Sequence, residues 1–207
     1  MKKKTSILLI GLMALGLVAC GGNANTSVTE NNVATETESA SEIEQEETEE
    51  EKSLVVYFSA TGTTKGVAQK IASALGADIY EIKPAQPYTS DDLNYSDSNS
   101  RSTREQNDSA ARPAISGSAP SFAGYDRIYI GYPIWWGEEP RIMDTFVESY
   151  NFSGITMIPF CTSGGSGVGR SDSNLANRAG SGNWKSGIRF SSGVSESEIK
   201  SWADGIQ

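Results

Sequence analysis

Residues 59–64, Ser59-Ala60-Thr61-Gly62-Thr63-Thr64, set four hydroxyl side chains and a glycine between an apolar run and a helix-forming pattern. The first turn of a helix carries amides with no intrahelical partner and a partial positive charge, so a phosphate placed there collects N–H hydrogen bonds without any cation. The hydroxyls of Ser59, Thr61, Thr63 and Thr64 add donors, and Gly62 lets the backbone turn and approach closely. The alternative is a hydroxyl-rich turn that caps a helix and binds nothing. Residues 133–137, Pro133-Ile134-Trp135-Trp136-Gly137, put two indoles on a loop where a core strand ends, a place from which they can stack on a flat conjugated ligand. Either indole alone reads equally well as packing on the following helix. Residues 162–167, Thr162-Ser163-Gly164-Gly165-Ser166-Gly167, offer amides and small hydroxyls to a polar ligand edge.

None of these groups is a catalytic acid, base or nucleophile. The chain has no histidine, which removes His-based triads and the usual zinc sets, so no catalytic side chain and no metal is assigned and the chemistry falls to a bound cofactor. Two rival motifs fail on one residue each. Gly164 to Ser171, GGSGVGRS, fits a Walker A loop except that Arg170 stands where lysine should reach the terminal phosphates. Cys161 before a glycine-rich loop suggests a cysteine phosphatase, but that pattern wants arginine six positions on, where Gly167 stands. Cys161 reads as a small core residue ending a strand.

For the three segments to act together, they must meet at one end of one sheet. Ser53–Phe58 is a continuous apolar run, as in a parallel strand covered on both faces. Val67, Ala68, Ile71, Ala72 and Leu75 recur at helical spacing, with Thr63 or Thr64 as N-cap and Gly76 as C-cap. Asp78–Ile82 is a second strand; Lys83–Gly117 is a polar surface excursion with one short helix near 102–108. A strand at Asp126–Tyr132, a helix at Pro140–Tyr150 with Ile142, Met143, Phe146 and Val147 inward, and a strand at Gly154–Phe160 follow. Helix Ser171–Ala179, strand Lys185–Phe190 and helix Ser195–Asp204, opened by a Ser195/Glu198 capping box, complete the chain. This alternation predicts an α/β domain with an open parallel sheet wound on both faces, in which ligands bind beyond the carboxyl ends of the strands.

Lys2-Lys3-Lys4 and the apolar stretch Thr5–Ala19 form an export signal too short for a comfortable membrane span. It ends Leu17-Val18-Ala19-Cys20-Gly21, similar to the lipobox of bacterial lipoproteins, which implies lipidation at Cys20. Gly21 to Glu51 holds ten glutamates and no lysine or arginine, a composition too poor in apolar surface to repay chain ordering. The expected organisation is signal 1–19, lipidated cysteine and acidic tether 20–52, and a folded domain over 53–207. Removing the ten acidic and four basic residues of positions 1–52 from totals of 26 and 17 leaves 16 and 13, so the domain carries only about −3. Without a basic patch, nucleic acid is not an expected partner. With Cys20 modified, Cys161 has no partner for a disulfide.

The loop Ser59–Thr64 resembles the phosphate-binding loop of the flavodoxin family, of the form T/S-x-T-G-x-T, and GYPIWWGEEP at 131–140 is similar to quinone reductases of that fold. The signal, the acidic tether, the insertion at Tyr88–Arg112 and the PIWW turn are together most similar to the bacterial flavodoxin-like lipoproteins. The resemblance covers residues 53–207. It implies a five-stranded sheet in the order 2-1-3-4-5, FMN as cofactor with its phosphate on Ser59–Thr64, its ring against Pro133–Gly137 and its pyrimidine edge on Thr162–Gly167. Gly137 then allows the preceding peptide to flip so that a carbonyl accepts from a protonated flavin N5, and Tyr88 or Tyr95 of the insertion covers the flavin edge. The implied function is electron transfer, with a redox protein or membrane donor as partner and the membrane reached through the lipid alone. An FMN-dependent NAD(P)H:quinone or nitro-compound reductase and a binding module that has lost flavin are the alternatives.

Overall fold

Leu54, Val55, Val56, Tyr57 and Phe58 are all buried, and their alternation divides them between two cores. The computed structural model describes residues 51–206; the signal, Cys20 and nearly all of the acidic tether lie outside the described residues. Strand β1 (Ser53–Tyr57) pairs in parallel with β2 (Asp78–Glu81) on one side and β3 (Arg127–Pro133) on the other. β3 pairs with β4 (Thr156–Thr162), and β4 with two short segments, β5 (Asn183–Trp184) and β6 (Ile188–Phe190). The order is β2-β1-β3-β4-β5, with β6 also on β4, so the strand order reverses between β1 and β3.

Leu54, Val56 and Phe58 join Ile128, Ile130, Tyr132 and Met157 beneath helices α3 (Arg141–Glu148) and α4 (Ser171–Ala179). Val55 and Tyr57 join Tyr129, Ile158 and Phe160 on the opposite face, beneath α1 (Thr63–Leu75) and α5 (Glu196–Asp204). The expected α/β sheet with helices on both faces is therefore present. Ile142, Met143, Phe146 and Val147 are buried on α3, and the capping box of Ser195 and Glu198 opens α5.

Two expectations need correction. The fifth strand is not continuous from Lys185 to Phe190 but breaks at 185–187, beside Pro159 of β4, which has no N–H to give a neighbouring strand. There a Cβ on Gly187 would come within 3.2 Å of Pro159 Cβ, and the Gly187 amide donates instead to Asp172 Oδ2 on α4 at 2.8 Å. The N-cap of α1 is neither Thr63 nor Thr64 but Gly62, at φ 90°, with no side chain capping the helix. Gly76 is the C-cap as expected.

The excursion from Lys83 to Gly117 is tied at its neck, where Ala85 N–H donates to Ala114 O and Ser116 N–H to Lys83 O, both at 2.8 Å. It contains α2 (Arg101–Asn107), whose N-cap Ser100 accepts from the Thr103 amide. Within it Arg101 lies over the Tyr88 ring at 4.0 Å and pairs with Glu105 at 2.7 Å, and Tyr88 Oη donates to Glu105.

Candidate cofactor site

Because all strands are parallel, the loops after β1, β3 and β4 emerge at the same edge, and a cavity of about 640 Å³ lies there. Its walls come from every one of the three segments singled out by residue type: Thr61, Thr63 and Thr64; Pro133, Ile134 and Trp135; Thr162, Ser163 and Gly164. The remaining lining residues are Ala60, Leu93, Tyr95, Arg189, Ser191 and Ser192. Such a volume lies within the range of about 300–1,000 Å³ usual for small-molecule and cofactor sites.

At one wall the amino end of α1 is open. Gly62 in the left-handed region turns the chain, its N–H donates to Ser59 Oγ at 3.1 Å, and its carbonyl accepts the first helical bond, from Gly66 N–H at 3.0 Å. Ser59 is thus engaged in holding the turn and does not line the cavity. Thr61 and Thr63 hydroxyls stand 3.5 Å apart, and Thr64 Oγ1 lies 2.9 Å from Thr162 Oγ1, joining the β1 and β4 loops. With no side chain capping the 13-residue helix, its first-turn amides remain for an anion.

At the second wall Trp135 and Trp136 part company. Trp135 is only 3% exposed and sits edge-on to Phe58 and Tyr88 at 5.7 and 5.1 Å, so it forms the floor of the cavity and belongs to the core. Trp136 is 43% exposed at φ 47°, and Gly137 follows at φ 84°. Reciprocal hydrogen bonds between Trp135 and Glu138, at 2.9 and 3.0 Å, close these two residues into a hairpin turn of the type that needs positive φ at both positions. Trp136 packs on Tyr95 at 4.4 Å between ring centroids, and of that pair only Tyr95 lines the cavity. Of the two tyrosines expected over the ligand edge, Tyr95 is at the cavity and Tyr88 is packed into the core.

The third wall is formed by the start of the β4 loop. Ser163 Oγ donates to Ser166 O and accepts from Gly165 N–H, folding the loop on itself, so Gly165, Ser166 and Gly167 stand outside the lining while Ser163 and Gly164 face it. Gly62, Trp136 and Gly137 likewise shape the site from outside. Cys161 is fully buried beneath it, and burial pushes its thiol up to about 12, as befits an inert core residue.

Arg189, Ser191 and Ser192 were not singled out from the sequence. The signal was available: Ser191-Ser192-Gly193 is another small, hydroxyl-rich turn leaving a strand's carboxyl end, at the same edge. Lys70 of α1 fixes this turn by donating to Ser192 O and Val194 O at 3.2 and 2.9 Å.

Behind the Trp136 hairpin lies a buried polar cluster. Gln106 of α2 donates to Trp135 O and Glu139 O at 3.1 and 3.2 Å, and Arg141 donates to Gln106 O at 3.1 Å and to Glu138 at 2.9 Å. Glu139 and Asp144 are both fully buried. Asp144 faces Arg178, Arg141 and Arg112 at 3.1, 3.5 and 4.0 Å, whereas Glu139 has Arg141 as its one cation among the described residues, at 3.8 Å, with the Asn174 amide at 3.2 Å and the Asp144 carboxyl beside it. Burial raises both carboxyls, Glu139 to about 7, and the neighbouring Asp144 charge adds to the rise of Glu139.

The flavodoxin family model matches residues 52–206. The chain belongs to the flavodoxin family. The domain is similar to the crystal structure of a Bacteroides eggerthii protein classed as a flavoprotein, at 47% identity and TM-score 0.70 over 74% of this chain and 96% of that one. It is similarly close to a Bacteroides uniformis counterpart, at 45% identity and TM-score 0.71 over 74% and 98% of the two chains. A Lactobacillus acidophilus flavoprotein crystallised in complex with FMN matches at 25% identity and TM-score 0.58, over 74% of this chain and 99% of its own. No curated protein matches the chain.

Proposed function

We propose that this flavodoxin-family protein binds FMN and works as an electron carrier, exported and anchored to the bacterial cell envelope through lipid on Cys20. The observation that carries the flavin assignment is the convergence of the open α1 amino end, the Thr61, Thr63 and Thr64 hydroxyls, and an apolar wall of Pro133, Ile134 and Trp135 on one cavity. That donor set suits a phosphate at one end and a flat ring at the other, and the FMN complex of the L. acidophilus relative supports it. Bound FMN supplies one- and two-electron chemistry. The protein's part is to hold and shield: α1 amides and threonine hydroxyls take the phosphate, Pro133 and Ile134 exclude water from the ring, and Ser163 and Gly164 offer hydrogen bonds to its polar edge.

Electron transfer is favoured over an enzyme with its own substrate because, among the described residues, no side chain at the cavity is placed as an acid or base and the ionisable lining groups are Tyr95 and Arg189. An exported carrier takes its electrons from a redox protein or a membrane donor, since reduced nicotinamides are cytoplasmic.

The test is to mix the purified full chain with FMN, remove the excess, and record the visible spectrum and flavin fluorescence. Retained, perturbed absorption with quenched fluorescence is expected. A colourless protein overturns the flavin reading, and steady oxidation of NADPH by a quinone in the presence of the FMN-loaded protein overturns the carrier reading in favour of a reductase.

A further inference from the structure

The segment that supplies the apolar wall of the cavity runs directly into a strained turn. Among the described residues, Trp136 is the one residue other than glycine in the left-handed region, a conformation that persists only where the surroundings impose it. Gln106 imposes it from the excursion: its side-chain amide donates to Trp135 O and to Glu139 O, bracketing both ends of the turn, and Arg141 holds the Gln106 carbonyl. The bracket is buried and incompletely paired. No hydrogen bond among the described residues reaches Gln106 Oε1, Glu139 Oε1 or Arg141 Nε, and unpaired polar atoms in a buried network store strain. Glu139 itself is fully buried at the end of the turn. It meets Glu138 beside it, Arg141 and Asp144 of α3, Asn174 of α4, Gln106 of α2 and Tyr132 of β3. Beyond these, Arg112 and Arg178 face Asp144 and Glu148. Four carboxyls against three guanidiniums make a neutral cluster only when one carboxyl holds a proton, and Asp144, with three guanidiniums around it, leaves that proton to Glu139.

We propose that Glu139 and Gln106 form a pH-sensitive catch on this wall: with Glu139 protonated the bracket holds the 135–138 turn and the cavity binds its ligand, and loss of that proton releases the turn and weakens binding. The affinity half of this rests on the flavin reading above. A second negative charge beside Asp144, in a place without a free cation, is relieved by moving the Glu139 side chain out to water. Glu139 O is a Gln106 acceptor, so that movement breaks the bracket, and the strained Trp136 turn relaxes once nothing holds it. The two arrangements thus differ in proton content, and pH sets their populations. Glu139 in the closed arrangement titrates at about 7, so a cavity that needs it protonated is competent in roughly nine-tenths of molecules at pH 6 and one-tenth at pH 8. Both residues are positioning residues and neither lines the cavity.

The experiment has two arms on the full chain, at pH 6 and pH 8. Without FMN, amide exchange of residues 135–139 is corrected for its intrinsic pH dependence and referred to β3 and β4. Protection of the turn should fall from pH 6 to pH 8 in wild type and stay level in Glu139→Gln. With FMN, dissociation constants are measured by flavin fluorescence quenching for wild type, Glu139→Gln and Gln106→Ala. The FMN phosphate itself titrates near pH 6, about equally for every variant, so the quantity read is the wild-type change with pH divided by that of Glu139→Gln. That quotient should be several-fold, up to about tenfold, with wild type the weaker binder at pH 8. Gln106→Ala, which lacks the bracket, should bind weakly at both pH values and lose the difference. A quotient of one, a Gln106→Ala protein that keeps the wild-type difference, or wild-type exchange in the turn that does not change with pH overturns the catch and leaves the flavin site standing. If wild type binds no FMN at either pH, the flavin reading falls, and the exchange arm alone decides whether Glu139 controls the turn.

Discussion

The Thr64 and Thr162 hydroxyls lie 2.9 Å apart with both side chains buried, so two loops separated by 98 residues in sequence share one hydrogen bond. Removing one partner leaves the other's hydroxyl without its protein partner in a largely buried position at the cavity wall, which costs more than the bond itself contributes. Thr64→Val should therefore destabilise the domain by about 1–3 kcal/mol, read as a lower denaturant midpoint at unchanged slope. Adding Thr162→Val should cost less than a second such loss, because the stranded hydroxyl is then gone. A Thr64→Val protein of wild-type stability would contradict this account. The hydroxyl-rich loop was legible in residues 59–64, but the division of labour within it was not. Ser59 holds the Gly62 amide, Thr61, Thr63 and Thr64 line the cavity, and Thr64 also reaches across to β4. Those assignments depend on which loop lies opposite, and sequence spacing does not carry that information.

At the scale of elements, the least legible part was the cluster where α2, α3 and α4 meet behind the Trp136 hairpin. The pattern RIMDTFVE gave α3 its apolar face, yet Arg141 and Asp144 are buried too, and a charge on a helix ordinarily signals solvent. Glu138, Glu139, Asp144 and Glu148 face the guanidiniums of Arg112, Arg141 and Arg178. The carboxylates outnumber the cations by one, and Glu139 is the group with the weakest claim on a cation. Its folded value of about 7 exceeds its ordinary 4.5, so between these the unfolded chain releases a proton that the fold retains. Stability from this group therefore falls as pH rises from about 4.5 to 7 and stays reduced above that. Asp144, beside it, is raised by burial in the same sense, so Glu139→Gln, which keeps the shape and removes one titration, should lessen that fall and be more stable than wild type at pH 8; an unchanged difference in unfolding free energy between pH 5.5 and 8 would refute the assignment. Gln106 links the same cluster to the hairpin, so Gln106→Ala should loosen residues 135–139, seen as faster amide exchange there than in the rest of the domain. Unchanged exchange would mean that the insertion does not brace the site.

Across the whole molecule, the parallel sheet followed from continuous apolar runs alternating with amphipathic helices, since strands covered on both faces show the same apolar signal along their whole length, whereas the strand order came from the family resemblance of the loops. The break between β5 and β6 escaped because its cause, Pro159, lies on a different strand. The same architecture makes ligand binding a global stabiliser: a cofactor touching the loops of β1, β3 and β4 binds only the folded chain. At about a hundred times its dissociation constant FMN should add about 2.7 kcal/mol, which for a domain of this size raises the melting temperature by roughly 5–10 °C. An unchanged melting temperature at saturating FMN would contradict the site. The anchor is a separate question, because Cys20 lies outside the described residues and its assignment rests on the residues around it. Burial of about 0.8 kcal/mol per methylene makes a single acyl chain a marginal, reversible anchor, so durable attachment requires the two or three chains that lipoprotein processing supplies. Cells fed an alkyne-labelled fatty acid should therefore incorporate label into the wild-type protein and none into Cys20→Ala. The mature wild-type chain should begin at residue 20, with a mass increased by its acyl groups. An unlabelled wild-type protein, or one that retains Met1, would remove the anchor and leave the flavin site untouched.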